Sequence, residues 1–171
     1  MRILIVAATA MEMAPLVGAF QRTADVSPRI TRYAHAGHDL VVMTTGVGMV
    51  ATSAWCSRLM AMESCSVALN FGLCGSFDRS LAPGTVVHVV ADRIAELGAE
   101  DGDAFLTVDE LMLPAEDQFV NAAPPANLAL SRLPAVSGIT VNTVHGNQRS
   151  IAAIVQRFKP QVESMEGAAL L

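Results

Sequence analysis

The fold of this chain is decided at residues 2–8, which read Arg2-Ile3-Leu4-Ile5-Val6-Ala7-Ala8. The run after the arginine is apolar without polar alternation, which is typical of a strand buried on both faces. Residues with helical spacing of apolar side chains follow in Ala10–Phe20. Because a strand buried on both faces needs helices on each side of its sheet, this beginning predicts an α/β fold. A single charged residue before the run and Glu12 soon after it distinguish it from a signal-peptide core.

The rest of the chain alternates between strand and helix patterns. Further helices are predicted at Gly48–Met62 and Ser150–Phe158. Further strands are predicted at Ile30–Ala34, Leu40–Thr45, Val67–Phe71, Thr85–Asp92, Ile139–Val144 and Gln161–Ser164. Neither a repeat nor a linker divides the chain, so we predict a single domain over residues 1–171. Its expected architecture is a three-layer αβα sandwich with a central mixed sheet.

Composition excludes two classes of partner. Hydrophobic residues make up 52% of the 171 residues and charged residues 16%, yet no apolar run reaches the ~20 residues of a membrane span. A net charge of −5 argues against a nucleic-acid surface, which needs clustered Lys and Arg. The apolar surplus therefore predicts a buried sheet and a subunit interface, most simply that of a homodimer.

The cysteines and histidines predict neither disulfides nor a metal centre. The three cysteines are odd in number and lie in apolar segments, which indicates reduced thiols in a cytoplasmic protein: Cys56, Cys65 and Cys74. The four histidines have no metal-ligand spacing with carboxylates: His35, His38, His88 and His145. We therefore expect no metal and no other cofactor.

Two glycine-rich segments follow predicted strands. The first, with Gly46 and Gly48, fits the dinucleotide pattern, but the next strand ends without the acid that a dinucleotide ribose needs. A helix start whose backbone amides face a small anion or a sugar hydroxyl is the better interpretation. The second begins at Asn70, and its Gly72 and Gly75 allow close approach of a flat ligand. A tight turn with no further role is the alternative.

Acidic residues near both ends of the chain are the candidates for catalysis. Glu12 lies one turn into a helix with apolar neighbours, where it is either functional or the solvated edge of that helix. Glu163 and Glu166 lie three apart, separated by a serine and Met165, and strand alternation turns only one of them inward. The charged run at residues 92–102 predicts a solvated loop.

Together these motifs resemble those of the nucleoside phosphorylase and nucleosidase superfamily over the whole chain. The most specific segment is Ser164-Met165-Glu166-Gly167-Ala168. The resemblance implies that Glu166 and Met165 hold the ribose. Hydrolysis also needs a water at the anomeric carbon, and Glu12 suits that water as a general base or an orienting acceptor. Phosphorylases of the superfamily carry an arginine for phosphate where this chain has Asn70, so the resemblance implies the hydrolytic branch.

Within that branch, residues 92–102 and 140–146 are most similar to the futalosine hydrolase family. This implies cleavage of futalosine to hypoxanthine and dehypoxanthine futalosine in menaquinone biosynthesis. Relatives contact the base with the segment that here contains Asn147 and Gln148. The alternatives are a methylthioadenosine/S-adenosylhomocysteine-type nucleosidase, which Leu73 disfavours, a purine nucleoside phosphorylase, or an inactive nucleoside-binding remnant.

The resemblance also predicts what lies around the site. Relatives continue past the Met-Glu-Gly-Ala segment into another strand and helix, which supply an Asp or Asn at the purine imidazole ring, so we expect this chain to lack them. The expected partner is a small-molecule purine nucleoside, with no nucleic acid and no membrane. By analogy, residues 96–103 help to close over the non-purine end of the substrate, unless they are only a solvated loop.

Overall fold

A computed structural model describes residues 1–171, and its backbone contacts divide into two compact units. Unit 1 contains residues 1–73 and Leu170, and unit 2 contains residues 74–169 and Leu171. The elements of unit 1 are, in chain order, β1 (Arg2–Ala7), α1 (Ala10–Val17), β2 (Gln21–Ser27), β3 (Ile30–His35), β4 (His38–Thr44), α2 (Met49–Met62) and β5 (Val67–Asn70).

Unit 1 is a five-stranded mixed sheet with a helix on each face. The strand order is β2-β3-β4-β1-β5, with β1 parallel to β4 and β5, and β3 antiparallel to β2 and β4. Alternate side chains of β1 point to opposite faces, so Leu4 and Val6 pack in the cluster that includes α2 residues, while Ile5 and Ala7 pack with Met13 of α1. The predicted three-layer α/β architecture with a mixed sheet is confirmed.

One strand of unit 1 is absent from the sequence prediction. The stretch around Asp25, for which no element is predicted, belongs to β2, which pairs with β3 in a hairpin with irregular register. All residues of β2 except Ser27 are exposed, so this edge strand has no apolar pattern to signal it. The predicted first helix is also too long, because α1 ends at Val17 and Gly18 caps it.

The elements of unit 2 are β6 (Gly75–Ser76), β7 (His88–Arg93), β8 (Gly98–Asp101), β9 (Ala104–Thr107), β10 (Gln118–Val120), α3 (Leu128–Ser131), β11 (Ala135–Thr140), α4 (Gln148–Phe158), β12 (Val162–Ser164) and a 3-10 helix (Gly167–Ala169). Its main sheet has the order β10-β7-β11-β12-β6. The central pairs β7–β11 and β11–β12 are parallel, whereas the edge strands β10 and β6 are antiparallel to their neighbours.

The two faces of this second sheet differ in chemistry. On one face, Ile139 and Val141 pack with Ile154 of α4 in an apolar cluster. On the other face, Gly138 and Thr140 lie against the carboxylate of Asp92. Helix α4 therefore covers a hydrophobic face, while the opposite face holds a buried polar group.

The sequence prediction is wrong in two parts of unit 2. The strand predicted at Ile139–Val144 is β11, which begins at Ala135 and ends at Thr140. Ser137 and Gly138 interrupt the apolar run and hide the start of this strand. Residues 98–107 contain the β8–β9 hairpin rather than an unpaired loop, although β8 is exposed as predicted.

Other features of the fold bear on the sequence expectations. None of the helices combines the length and the apolar character that crossing a membrane requires. Cys56, Cys65 and Cys74 are free thiols, and burial raises the pKa of Cys56 to about 11. The single domain over residues 1–171 stays a prediction.

Candidate active site

In unit 1, the residues predicted to bind substrate lie at one edge of the sheet. The parallel strands β1, β4 and β5 end side by side, with Ala7 opposite Thr44 and Val6 opposite Asn70. The chain segments that leave these strand ends carry the predicted residues: Glu12, Gly46, Gly48, Asn70 and Gly72. Carboxyl edges of parallel sheets are where ligands of α/β proteins bind.

Glu12 is held at this edge as part of a helix cap. Thr9 is the N-cap of α1, and one carboxylate oxygen of Glu12 accepts hydrogen bonds from the Thr9 backbone N–H and hydroxyl, both at 2.8 Å. The other oxygen accepts from the backbone N–H of Leu73 at 3.3 Å. The sequence pattern left open whether Glu12 is a solvated edge, and the structure shows a partly buried carboxylate with a defined orientation.

The first glycine segment makes the turn into α2. Gly46 and Gly48 have φ of +91° and +101°, a region that side-chain-bearing residues rarely adopt. The Gly46 N–H donates to the Ala8 carbonyl at 2.9 Å, which ties this turn to the end of β1. Gly48 is the N-cap of α2 and makes no side-chain cap hydrogen bond to the helix.

In unit 2, the other predicted residues follow β11 and β12. Met165 and Glu166 are partly buried and lead from β12 into the 3-10 helix, whose Ala169 N–H donates to the Glu166 carbonyl at 3.0 Å. Gly75 lies in β6 opposite Glu163 of β12. Asn147 is the N-cap of α4, and its side-chain oxygen accepts from the Ser150 N–H at 2.9 Å. Its amide oxygen is therefore engaged in capping.

The segment after Glu166 rests on a buried carboxylate. Asp92 is only 2% exposed and accepts hydrogen bonds from the Arg93 N–H at 2.7 Å and from the Thr140 hydroxyl at 3.0 Å. The Thr140 oxygen accepts in turn from the Ala168 N–H at 2.8 Å. A Cβ added at Gly167 would lie 2.1 Å from Asp92 Oδ2, so a side chain there would displace the Asp92 carboxylate. Asp92 was expected in a solvated run, and nothing local in the sequence marks it as buried.

Burial raises the pKa of Asp92 to about 6, against the opposing effect of its hydrogen bonds from Thr140 and Arg93. A carboxyl group whose pKa is higher in the folded state binds its proton more tightly there than in the unfolded chain. We therefore expect stability to fall as the pH rises from about 4 through about 6, by at most about 3 kcal/mol. Asp92→Asn keeps one acceptor oxygen and should remove this slope. The check is the free energy of unfolding in urea, measured for both proteins on both sides of about pH 6. The same dependence of that free energy on pH in the two proteins would refute the prediction.

A second buried acid and a histidine form a pair that the sequence motifs did not identify. Glu163 is 5% exposed, and its two oxygens accept from the backbone N–H of His145 at 3.0 Å and from its ring Nδ1 at 2.7 Å. The ring of Phe77 meets the imidazole edge-on, with 6.2 Å between centroids. Strand alternation predicted that one of the two C-terminal acids faces inward, and it is Glu163.

Unit 2 also contains a cavity of about 340 Å³. It lies among the β8–β9 hairpin, α4 and the loop that contains His145, and none of the predicted substrate-binding residues lines it. The Arg157 guanidinium covers the Phe105 ring at 4.2 Å on the wall of this cavity. The side chains brought together in the structure include no group of three or more potential His, Cys, Asp or Glu metal ligands.

Comparison with known proteins identifies a family and a curated relative. The family model described as Phosphorylase superfamily matches residues 2–171. The futalosine hydrolase of Thermus thermophilus is 30% identical over 139 residues. The aligned region covers 78% of this chain, which spans 61% of the length of that relative.

Solved structures show the same fold. A 5'-methylthioadenosine/S-adenosylhomocysteine nucleosidase from Helicobacter pylori matches 99% of this chain and 76% of its own, with a TM-score of 0.81 and 15% identity. The native futalosine hydrolase of Helicobacter pylori matches with the same coverage, a TM-score of 0.80 and 15% identity. An S-adenosylhomocysteine nucleosidase from Streptococcus pyogenes covers 99% of this chain and 75% of its own, with a TM-score of 0.77 and 23% identity.

Proposed function

Since this chain belongs to the phosphorylase superfamily, we propose that it hydrolyses the N-glycosidic bond of a purine nucleoside. The substrate we propose is futalosine, which yields hypoxanthine and dehypoxanthine futalosine in menaquinone biosynthesis. The observation that carries the proposal is the family match over residues 2–171, together with 30% identity to a futalosine hydrolase.

The chemistry of this reaction needs an anion beside a developing cation. Cleavage of the N-glycosidic bond passes through an oxocarbenium-like ribosyl group, which a fixed carboxylate stabilises. We assign this role to Glu166, which also accepts hydrogen bonds from the ribose hydroxyls, with Met165 packing on the sugar. Support comes from the 3-10 helix and the Asp92–Thr140 network, which hold the backbone that follows Glu166.

The attacking water needs a base or an orienting acceptor, and we assign that role to Glu12. The capping box and the Leu73 N–H fix both of its oxygens, so a water bound to it is oriented without loss of side-chain freedom. The remaining substrate contacts in the proposal are backbone and amide groups: Gly46, Gly48, Asn70, Gly72, Gly75, Asn147 and Gln148.

We expect base release that does not depend on phosphate. Asn70 is neutral where phosphorylases place a cation, so no group is assigned to hold a phosphate nucleophile there. The measurement is the release of free base from futalosine, inosine and methylthioadenosine with and without phosphate. A strict phosphate requirement, with a sugar phosphate as product, would contradict hydrolysis. Release of adenine but not hypoxanthine would contradict futalosine as the substrate.

A cytoplasmic homodimer is part of the same proposal. Large apolar side chains are strongly exposed in unit 1 at Met11, Val50 and Leu73 and in unit 2 at Met112 and Leu128. We propose that a second copy of the chain covers side chains of this set, since contiguous apolar patches on a protein surface mark interaction sites. Light scattering of the purified chain measures its mass directly, and a monomer at all concentrations would remove this part of the proposal.

A further inference from the structure

We propose that Glu163 is a positioning residue that holds the base-contacting segment, residues 146–149, through His145. This inference rests on the proposed function, because the segment has a role in recognition only if a purine binds there. Glu163 itself is buried behind the segment and is not assigned a contact with substrate.

The geometry of the pair is that of a two-point attachment. One carboxylate oxygen of Glu163 holds the His145 backbone and the other holds its ring, at 3.0 and 2.7 Å. A single backbone hydrogen bond would leave the peptide free to turn about it, whereas the second bond fixes the ring as well. Gly146 follows directly, so the direction in which the segment leaves His145 is set by the carboxylate.

The chain on the other side of Gly146 is also attached. Asn147 caps α4 by accepting from the Ser150 N–H, and the Ser150 hydroxyl donates back to the Asn147 carbonyl at 3.1 Å. Only Gly146 lies between the two attachment points, His145 and Asn147. An exposed glycine flanked by two anchored residues has little freedom although it lacks a side chain. Without the hydrogen bonds to Glu163, Gly146 would be held only on its Asn147 side.

The surroundings of Glu163 support a structural rather than a chemical role for its side chain. Gly75 lies opposite it in β6, where an added Cβ would be 3.3 Å from the Glu163 side chain, and Phe77 borders the imidazole. The His145 imidazole lies directly against it, with Nδ1 2.7 Å from a Glu163 carboxylate oxygen. Because a carboxylate only accepts hydrogen bonds, the imidazole carries its proton on Nδ1 in this pair.

Two substitutions distinguish a positioning role of Glu163 from a role of its negative charge. Glu163→Ala removes both bonds. Glu163→Gln can keep both, because the amide oxygen accepts from the His145 N–H while the amide nitrogen donates to Nδ1 of the other imidazole tautomer. Glu63→Ala is the matched control, since Glu63 is a carboxylate ion-paired with Arg32 in unit 1, at 2.6 Å, and has no assigned role in the site.

The experiment measures hypoxanthine binding by calorimetry and futalosine turnover for the full chain and each variant. We expect Glu163→Ala to weaken hypoxanthine binding and raise KM roughly tenfold, with a smaller change in kcat, since two bonds to a charged group are lost. Glu163→Gln and Glu63→Ala should stay close to wild type. If Glu163→Ala does not fold, His145→Phe removes the ring attachment alone and should weaken binding in the same direction.

The outcomes that overturn the inference differ from those that overturn the proposed function. Unchanged binding and KM in a folded Glu163→Ala protein would overturn positioning. A folded Glu163→Gln protein as defective as Glu163→Ala would show that charge, not position, is required. Hypoxanthine binding without futalosine hydrolysis would refute the hydrolase and leave the binding series as the test of Glu163. A wild-type chain that does not bind hypoxanthine would overturn the positioning role.

Discussion

Glu166→Gln should lose most of its hydrolytic activity while keeping its fold. Glutamine preserves the volume and can still hydrogen-bond to a sugar hydroxyl, but it lacks the negative charge that stabilises a ribosyl cation. Loss of one such electrostatic contact costs about 10²- to 10³-fold in rate. Glu166 is partly buried rather than in a core cluster, so the melting temperature should stay near that of wild type. The measurements are kcat, KM and the thermal unfolding midpoint.

The control is Glu63→Gln, which removes the same charge from an ion pair with Arg32 outside the assigned site. It should retain full activity, with at most a small change in stability. A Glu166→Gln protein that melts much earlier and loses activity only in proportion would identify Glu166 as structural. A drop in kcat at an unchanged melting temperature would identify a contact made chiefly in the transition state.

Gly167→Ala should be among the most destabilising substitutions in unit 2. The new methyl carbon would lie 2.1 Å from Asp92 Oδ2 and 3.0 Å from the Ser164 hydroxyl. The Asp92 side chain cannot move away easily, because it is buried and accepts hydrogen bonds from the Thr140 hydroxyl and the Arg93 N–H. Overpacking of this kind costs about 3 kcal/mol, which lowers the melting temperature of a chain of this size by about 6–12 °C. Differential scanning calorimetry gives the midpoint.

Gly18→Ala is the matched control for this substitution. Gly18 has an ordinary helical φ of −60°, and an added Cβ there would meet its nearest atom at 3.7 Å, so it should be tolerated. Asp92→Ala removes the carboxylate with which the new methyl group of Gly167→Ala would clash. The double variant should therefore lose less stability than the sum of the losses in the two single variants. Simple additivity in this cycle would mean that the methyl group is accommodated without contact to Asp92.

Parts of the fold could be read from the sequence because their signals are local. Strand β1 is a continuous apolar run, and β4 and β5 are recognisable in the same way. Helices α2 and α4 agree with their predicted positions within two residues at each end. Strands β2 and β8 were missed because exposed strands bury no apolar face.

The candidate site likewise has features that local sequence signals reveal and features that they do not. Glycine turns after strands and the Met165–Glu166 segment can be located from residue types and spacing, because parallel strands end at a common edge. The capping role of Glu12 is also local, since Thr9 precedes it by three residues and completes a capping box. Its contact with the Leu73 N–H, 61 positions along the chain, is not.

The sequence by itself thus determined the α/β class, the central strands and the stretches that carry the candidate residues, since each depends on interactions within a few positions. Only the tertiary structure decided that Glu163 is the inward-facing acid and that it holds His145, 18 positions earlier. It also decided that Asp92 is buried against Thr140, 48 positions away, and that Gly167 lies directly against the Asp92 carboxylate. Burial of a charged group depends on partners that other strands supply, and no local pattern encodes which strands become neighbours.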